Sequence, residues 1–184
     1  PVFNAPYIYI QYDGYISRKL KAIIGGRFDN HSEYESQFSP KAALKYNINN
    51  NVAVKGSIGM GFKAPDFRQL YFDFTNATVG YTVLGYNAVN KRISQLNSEG
   101  QITYIGFNQS DYNNKLKAEN SISYYIGFDY IPTNKLKFSI NLFRNDISNL
   151  IDTRVIARKS NGQNVFSYYN VNEVYTQGIE LDGI

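Results

Sequence analysis

The chain has 184 residues, of which 43% are hydrophobic, and its formal net charge is +4 at pH 7. It contains 17 Tyr and 12 Phe but no Cys, which excludes a disulfide framework, a thiolate metal site and a cysteine nucleophile. The Lys and Arg residues are scattered along the chain, whereas a nucleic-acid-binding protein usually gathers them into a patch, so the composition argues against nucleic acid as a partner.

Alternation of apolar and polar residues with a period of two predicts strands along most of the chain. The segment 52–62 shows the pattern best, because Val54, Ile58 and Met60 share one face while Lys55 and Ser57 take the other. The predicted strands are 7–12, 20–28, 38–48, 52–62, 120–131, 136–145 and 168–181. We therefore expect an all-β fold with seven strands in this chain.

The connections between these strands alternate in length. Short links are expected at 13–18, 49–51 and 132–134, and longer ones at 29–37, 63–117 and 156–165. One rim made of tight turns and another rim carrying loops is typical of an antiparallel up-and-down transmembrane β-barrel. A soluble sandwich with Greek-key crossings has no reason to keep this order, although a soluble sheet with one wet face would show the same alternation.

The two faces of the predicted strands differ as a barrel in a membrane requires, with bulky apolar residues outside and a polar lumen inside. We expect the apolar face to contact lipid, and its representatives are Val54, Ile58, Ile122, Ile126, Phe138 and Ile140. Four lysines are expected to face the lumen and to pair with carboxylates there: Lys41, Lys45, Lys55 and Lys137. No apolar run approaches the length of a membrane-spanning helix.

Five matches, one of them made of two segments, together carry a family resemblance. The segment "SIGMGFKAPDFRQLY" (57–71) resembles the box of TonB-dependent outer-membrane receptors in which a strand ends in Gly-Phe-Lys/Arg-Ala-Pro and Leu-Tyr follows. The other four matches, in the order of the family, are "GGRFDNHSEY" (25–34) with "SPKAALKY" (39–46), "LKAENS" (116–121), "LFRNDISNLID" (142–152) and "YYNVNEVYTQGIELDG" (168–183). The positions that match the two main boxes are Gly61, Phe62, Lys63, Ala64, Pro65, Leu70, Tyr71, Leu116, Glu119 and Ser121.

This resemblance implies a barrel of about 22 strands that an N-terminal plug domain fills. Residues 1–184 would be a partial barrel domain without a plug, cut from a longer protein of the outer membrane of a Gram-negative bacterium. The whole receptor would take up a scarce nutrient such as a ferric siderophore, haem or a cobalamin-like ligand, energised through TonB. Its partners would be that small molecule, its own plug, TonB and the lipid bilayer, with no cofactor.

Two alternatives from other classes stay open at this point. A passive outer-membrane pore or an adhesin barrel would share the strands but not the resemblance at 61–65 and 116–121. A soluble carbohydrate-binding β-domain could use the same Tyr-rich segment.

If the chain belongs to a transport receptor, the case for haem as its ligand is weakened, because the interval 66–115 holds no His and His31 lies in a different loop. Tyr residues of the interval could still ligate haem iron.

The interval after the first box is unusually rich in aromatic residues and supplies the candidate ligand contacts. The candidates are Arg68, Tyr71, Phe72, Phe74, Tyr81 and Tyr86, with Phe67 beside them. Their rings could stack on a flat or ring-bearing ligand while Arg68 pairs with an anionic group, or they could pack the loop against itself. Asp146, Asp152 and Glu173 have no His, Ser or metal constellation around them, so we expect neither a catalytic nor a metal site.

Overall fold

The computed structural model describes residues 4–32 and 35–184. These residues fall into two compact units. The first unit comprises Pro1–Phe62, Asn120–Ser148 and Glu173–Ile184, and the second comprises Lys63–Glu119 and Asn149–Asn172. The end of the family segment 25–34, at residues 33 and 34, lies outside the described residues.

Ten strands and two α-helices occur within the part of the chain that the structure describes. The strands are β1 (Tyr7–Tyr15), β2 (Leu20–Asp29), β3 (Gln37–Asn47), β4 (Val52–Lys63), β5 (Asp73–Asn76), β6 (Tyr81–Leu84), β7 (Ile102–Ile105), β8 (Glu119–Thr133), β9 (Leu136–Lys159) and β10 (Asn164–Gly183). The helices are α1 (Phe67–Tyr71) and α2 (Val89–Ser98), with short 3-10 turns at Tyr86–Ala88 and Gln109–Tyr112. Neither helix is long and apolar enough to span a membrane.

The first unit is a wall in which each strand pairs with the next. Its hydrogen-bonded order is β1-β2-β3-β4-β8-β9-β10, and the registers of β1 with β2, β2 with β3, β3 with β4 and β8 with β9 are all antiparallel. Tight turns close the expected short links; at one of them the Asn49 side chain accepts hydrogen bonds from the backbone N–H groups of Asn51 (2.8 Å) and Val52 (2.9 Å). The all-β, up-and-down prediction and its seven wall strands are confirmed.

The wall exposes its apolar side chains and buries its polar ones, which is the reverse of the pattern in a soluble sheet. Ile126 is 62% exposed and Ile140 is 48% exposed, whereas Asp129 is 5% and Asn141 is 6% exposed on the opposite face. A soluble protein would bury the isoleucines, since burying about 100 Å² of apolar surface is worth roughly 2.5 kcal/mol. The wall therefore presents its apolar face outward, as the sequence predicts for strands in a bilayer.

Ion pairs and hydrogen bonds satisfy the buried polar face. Lys55 Nζ lies 2.9 Å from Asp129 Oδ1, and the Ser139 hydroxyl donates to the same oxygen at 2.8 Å. Lys45 is directly opposite Lys55 in the register of β3 and β4, so both lysines point to this face. The expectation that a lumen lysine pairs with a wall carboxylate is confirmed for Lys55.

The second unit is folded around its own core, so the expectation that 63–117 is one long loop between two strands is wrong. Three strands and both helices lie in that interval, and β9 and β10 add to it. The buried core consists of Leu70, Leu84, Tyr86, Val89, Ile93, Tyr112, Leu116, Ile151, Ile156, Ala157 and Val165. The core forms because residues far apart in sequence supply it, a pattern that a short-range period does not reveal.

The predicted loop at 156–165 is also wrong. Strand β9 continues to Lys159 and β10 begins at Asn164, so only four residues connect them. Gly162 has a φ of 83°, which Gly adopts without the steric cost that a side chain would add. The Lys159 N–H donates to the Gln163 carbonyl at 2.8 Å and closes the turn.

An ion pair joins the two family boxes within the second unit. Lys63 Nζ lies 2.9 Å from Glu119 Oε1, and the same oxygen accepts the backbone N–H of Ile151 at 3.1 Å. Glu119 is only 9% exposed, whereas the Lys63 side chain is 62% exposed. Lys63 ends β4 and Glu119 begins β8, so this contact fixes the ends of two strands that the sequence separates by 56 residues.

Spin labels at Ile58 and Ser57 test the orientation of the wall. These neighbours lie at the same depth of β4 on opposite faces, and Ser57 is opposite the small Ala43, which leaves room for a label. In the full-length protein in a bilayer, we expect the label at Ile58 to be accessible to an apolar relaxation agent and the label at Ser57 to be shielded from it. Equal accessibility of both labels to that agent would contradict the orientation.

Substitutions of the Lys63–Glu119 pair should have unequal effects. Lys63→Met leaves a buried carboxylate without its ammonium and should lower the free energy of unfolding by about 1–3 kcal/mol. Glu119→Gln keeps an oxygen that accepts from both Lys63 and Ile151 and should cost less. Denaturant unfolding of the full-length protein measures both values, and a larger loss for Glu119→Gln would contradict the described contacts.

Candidate functional site

Helix α1 forms the end of the first family box, beginning two residues after Pro65, and carries Phe67, Arg68 and Tyr71. The Asp66 side chain accepts the backbone N–H of Gln69 at 2.8 Å, and the Gln69 side chain accepts the N–H of Asp66 at 2.9 Å. This capping box satisfies two N–H groups that a helix start otherwise leaves unpaired. The spacing of Asp66 and Gln69 is visible in the sequence and could have predicted the helix.

The two exposed rings of α1 lie side by side. Phe67 is 46% exposed and Tyr71 is 43% exposed, and their ring centroids are 6.3 Å apart. Arg68 lies between them in the sequence, with its side chain 73% exposed and 3.6 Å from Asp66 Oδ2. A surface pair of this length contributes little to stability, so the guanidinium of Arg68 can exchange Asp66 for another anion.

A small sheet follows α1 and has two different faces. β5 pairs with β6 antiparallel, and β6 pairs in parallel with the first residues of β10. The face toward the core carries residues at or near 0% exposure: Thr82, Leu84, Val165 and Ser167. Because side chains alternate along a strand, the residues between them must point to the other face.

That other face carries a row of aromatic rings. The Phe72 and Phe74 rings are stacked with centroids 5.4 Å apart, Phe74 meets Tyr81 edge-on at 6.5 Å, and Tyr81 meets Phe166 edge-on at 6.3 Å. Phe74 is 41% exposed, and the other three rings are half-buried. We call these four residues the aromatic row. Phe166 is not among the candidates predicted from the sequence, although its alternation with Val165 and Ser167 could have indicated the outward face.

Tyr86 is placed differently from the other candidates. It is 7% exposed, its ring centroid is 4.8 Å from that of Tyr112, and its hydroxyl donates to the Asp111 carbonyl at 2.6 Å. Burial, with smaller contributions from Tyr112 and Asp111, raises the pKa of the Tyr86 phenol above its usual value. Tyr86 therefore packs the core as a neutral phenol in this arrangement, and its ring offers little surface to a ligand.

Gly85 allows α1 and the small sheet to come together. Its N–H donates to the Phe72 carbonyl at 2.6 Å. A Cβ at this position would overlap the backbone of Leu70, Tyr71 and Phe72, so any other residue would push α1 away. Since Phe72 begins the aromatic row, Gly85 positions the row relative to α1.

The remaining motif residues are structural. Leu70 (8% exposed) and Leu116 (2%) are core residues of the second unit, and Pro65 is buried at the approach to α1. In the first unit, the Ser121 hydroxyl donates to the Gly61 carbonyl at 3.4 Å, and a Cβ at Gly61 would lie 3.2 Å from that hydroxyl. Phe62 and Ala64 are half-buried. The motif is therefore explained by strand ends and core packing.

The described residues contain no cluster of metal-ligating side chains. Within 4–32 and 35–184, no group of three or more His, Asp or Glu side chains is placed to hold a metal ion. The contacts that the candidate surface can offer are aromatic faces and the cationic Arg68. Such a surface suits a ring-bearing anionic molecule.

Two curated proteins show what the chain resembles. It is 27% identical over 167 residues to the ferric enterobactin receptor of Pseudomonas aeruginosa, which covers 85% of this chain and 19% of that protein. It is 28% identical over 98 residues to the iron-regulated outer membrane virulence protein of Vibrio cholerae, which covers 50% of this chain and 15% of that protein. The chain thus spans less than a fifth of the length of these curated relatives.

Solved structures show the same fold. The siderophore receptor PirA from Pseudomonas aeruginosa superposes with a TM-score of 0.74 at 19% identity, over 97% of this chain and 30% of that one. A mutant of the ferric enterobactin receptor PfeA from the same organism superposes with a TM-score of 0.69 at 20% identity, over 97% of this chain and 24% of that one.

The family described as TonB dependent receptor-like, beta-barrel, matches residues 4–183, which is nearly the whole chain. The strand order, the outward apolar face and the two joined boxes agree with that match. The family is one of receptors, and the relative from Vibrio cholerae is named as an outer membrane protein. The chain therefore belongs to the family of TonB-dependent receptor β-barrels.

Proposed function

We propose that this chain is a partial barrel domain, residues 1–184, of an active transport receptor in the outer membrane of a Gram-negative bacterium. The observation that supports it most is the combination of two features. The wall exposes apolar side chains and buries polar ones, and the folded second unit exposes aromatic rings. The whole receptor would capture a scarce nutrient and pass it inward with energy delivered through TonB. The plug domain and the contact with TonB would lie outside this chain.

The ligand we propose is a ferric siderophore. The curated relatives are named for ferric enterobactin and iron regulation, and the solved neighbours are named as siderophore receptors. A siderophore complex presents an assembled, often anionic surface, so the receptor needs no metal ligands of its own. Haem is less well supported because 66–115 contains no His. Nothing in the second unit assembles an acid, a base and a nucleophile, so we propose binding and transport without catalysis.

The contacts we propose are the aromatic row, Tyr71 and Arg68. The row offers the partly exposed rings Phe72, Phe74 and Tyr81, and Arg68 can pair with an anionic group. Tyr86 is left out because its ring lies in the core. A passive pore or an adhesin barrel is less well supported, because neither would share the boxes at 61–65 and 116–121, which lie within the match to the receptor family.

Replacing Tyr71, Phe72 and Phe74 together with Ala in the full-length receptor tests these contacts. Each lost stacking contact should cost on the order of 1 kcal/mol, so the affinity for ferric enterobactin or another bound siderophore should fall by roughly two orders of magnitude. The barrel should still assemble, because these side chains contribute nothing to the ladder of the wall. Ligand titration and heat-modifiability on gels measure the two properties separately.

Two control variants separate binding from packing. Tyr104→Ala removes a 61% exposed ring outside the aromatic row and should leave affinity unchanged. Tyr86→Ala removes a core ring and should reduce protease resistance first, as large-to-small core changes of an aromatic cost about 3–5 kcal/mol. A triple variant that is well folded and binds with unchanged affinity would show that the ligand is held elsewhere.

A further inference from the structure

Three lysines stand in a row across the polar face of the wall. Lys45 of β3 lies directly opposite Lys21 of β2 and directly opposite Lys55 of β4. Together with Ala43 and Ser57 they line a small cavity of about 180 Å³. Like charges directly opposite each other on neighbouring strands destabilise a sheet, so this arrangement calls for an anion that offsets the repulsion. We call the three residues the lysine row.

The two outer lysines of the row have carboxylate partners in the wall, and the central one does not. Lys21 Nζ lies 3.0 Å from Asp13 Oδ1, and Lys55 Nζ lies 2.9 Å from Asp129 Oδ1. Lys45 is exposed, and among the described residues no carboxylate lies within ion-pairing distance of its ammonium. Three ammonium groups and two carboxylates leave a net charge of +1, and the unpaired charge is in the middle of the row.

The cavity stays open because Lys55 lies flat against the wall. A Cβ at Gly127 of β8 would be 2.5 Å from Lys55 Cε, so a side chain there would displace Lys55 from its path to Asp129. Ala43 and Ser57 are directly opposite each other, and both are small. The cavity is smaller than the roughly 300–1,000 Å³ of sites that enclose a whole small-molecule ligand. It has room for one anionic group with a few waters.

The lysine row lies close to the rim that carries the short links. Lys45 is two residues from Asn47, where β3 ends, and Lys55 is three residues from Val52, where β4 begins. At about 3.4 Å per residue, the row is within roughly 10 Å of that rim. Short turns mark the periplasmic rim of outer-membrane barrels, so in such a barrel the row faces the lumen at its exit.

We propose that the lysine row is an anion-binding station on the exit route of the transported ligand. It takes a carboxylate or another negatively charged oxygen group of the ligand at the ammonium of Lys45, beside those of Lys21 and Lys55. Asp13 and Asp129 hold the outer lysines in place. A single net positive charge attracts the group and still allows its release, as passage through a pore requires. The inference rests on the proposed function, because it concerns a step after capture at the aromatic row.

Uptake kinetics in cells that express the full-length receptor test the station. The probe is ferric enterobactin, or another anionic ferric siderophore that the intact receptor takes up. Lys45→Gln should lower the maximal uptake rate by about tenfold, the loss that removal of one charge-assisted contact explains. Affinity at the cell surface should not change, because other residues capture the ligand. Lys45→Arg should keep the rate and Lys45→Glu should lower it further, since the effect follows the charge at this position.

The matched control is Lys41→Gln. Lys41 is an exposed lysine on the same strand and the same face as Lys45, but its register neighbours are Gly25 and Gly59, so no second ammonium lies opposite it. This variant should take up the siderophore at the rate of the intact receptor. An equal loss of rate in Lys41→Gln and Lys45→Gln would indicate a general effect of lumen charge and would contradict the station.

Denaturant unfolding of the full-length receptor distinguishes a transported anion from a fixed carboxylate elsewhere in the receptor. If no fixed group occupies the row, Lys45→Gln relieves repulsion and should be at least as stable as the intact receptor. If a fixed carboxylate occupies it, the same variant leaves that carboxylate unpaired and lowers the free energy of unfolding.

Three results would overturn the inference: such a loss of stability, an unchanged maximal uptake rate in Lys45→Gln, or uptake by the intact receptor of uncharged complexes alone. Failure of the proposed function looks different. In that case the intact receptor, with all three lysines in place, takes up no ferric siderophore.

Discussion

The wall depends on the constraint that a bilayer offers no partner to a backbone N–H or C=O group. Strands β2, β3, β4, β8 and β9 each pair with a neighbour on both sides, and the registers of β1 with β2, β2 with β3, β3 with β4 and β8 with β9 are antiparallel. With the backbone satisfied, side chains alone decide which face meets lipid. The exposed Ile126 and Ile140 and the buried Asp129 and Asn141 show that the choice is consistent from strand to strand. The Lys55–Asp129 pair then lowers the cost of burying charge on the polar face.

The second unit follows the opposite rule, because it buries apolar side chains and exposes a limited aromatic surface. Strands β9 and β10 contribute residues to both units. Each of these strands therefore has one part in the unit that exposes apolar side chains and another part in the unit that buries them. Asn149, at the boundary, has a φ of 55°, a left-handed conformation that Asn tolerates better than most residues. Glu119 and Lys63 anchor the entry to this unit, and the capping box at Asp66 starts its first helix.

Sequence alone predicted the wall well because its signal is local. Alternation over ten residues, as in 52–62, directly reflects two faces with different surroundings. The second unit was missed because its strands are four residues long and pair across the chain: Tyr81 of β6 lies opposite Asn164 of β10. Separation in sequence also explains why two placements were not predicted. Phe166 contacts Tyr81 in the aromatic row, and Tyr86 is buried against Tyr112. The motif at 61–65 was recognisable, but the contacts that explain it, such as that of Lys63 with Glu119 and that of Gly61 with Ser121, required the fold.

Our central proposal is that this wall belongs to a receptor that transports an iron chelate actively. Uptake of iron-55 supplied as ferric enterobactin or as other ferric siderophores, in cells that express the full-length gene with and without TonB, measures this directly. The account predicts saturable uptake of at least one of these complexes that is lost without TonB. Uptake that continues unchanged without TonB would indicate a passive pore and would contradict the account, as would the absence of uptake for every siderophore supplied.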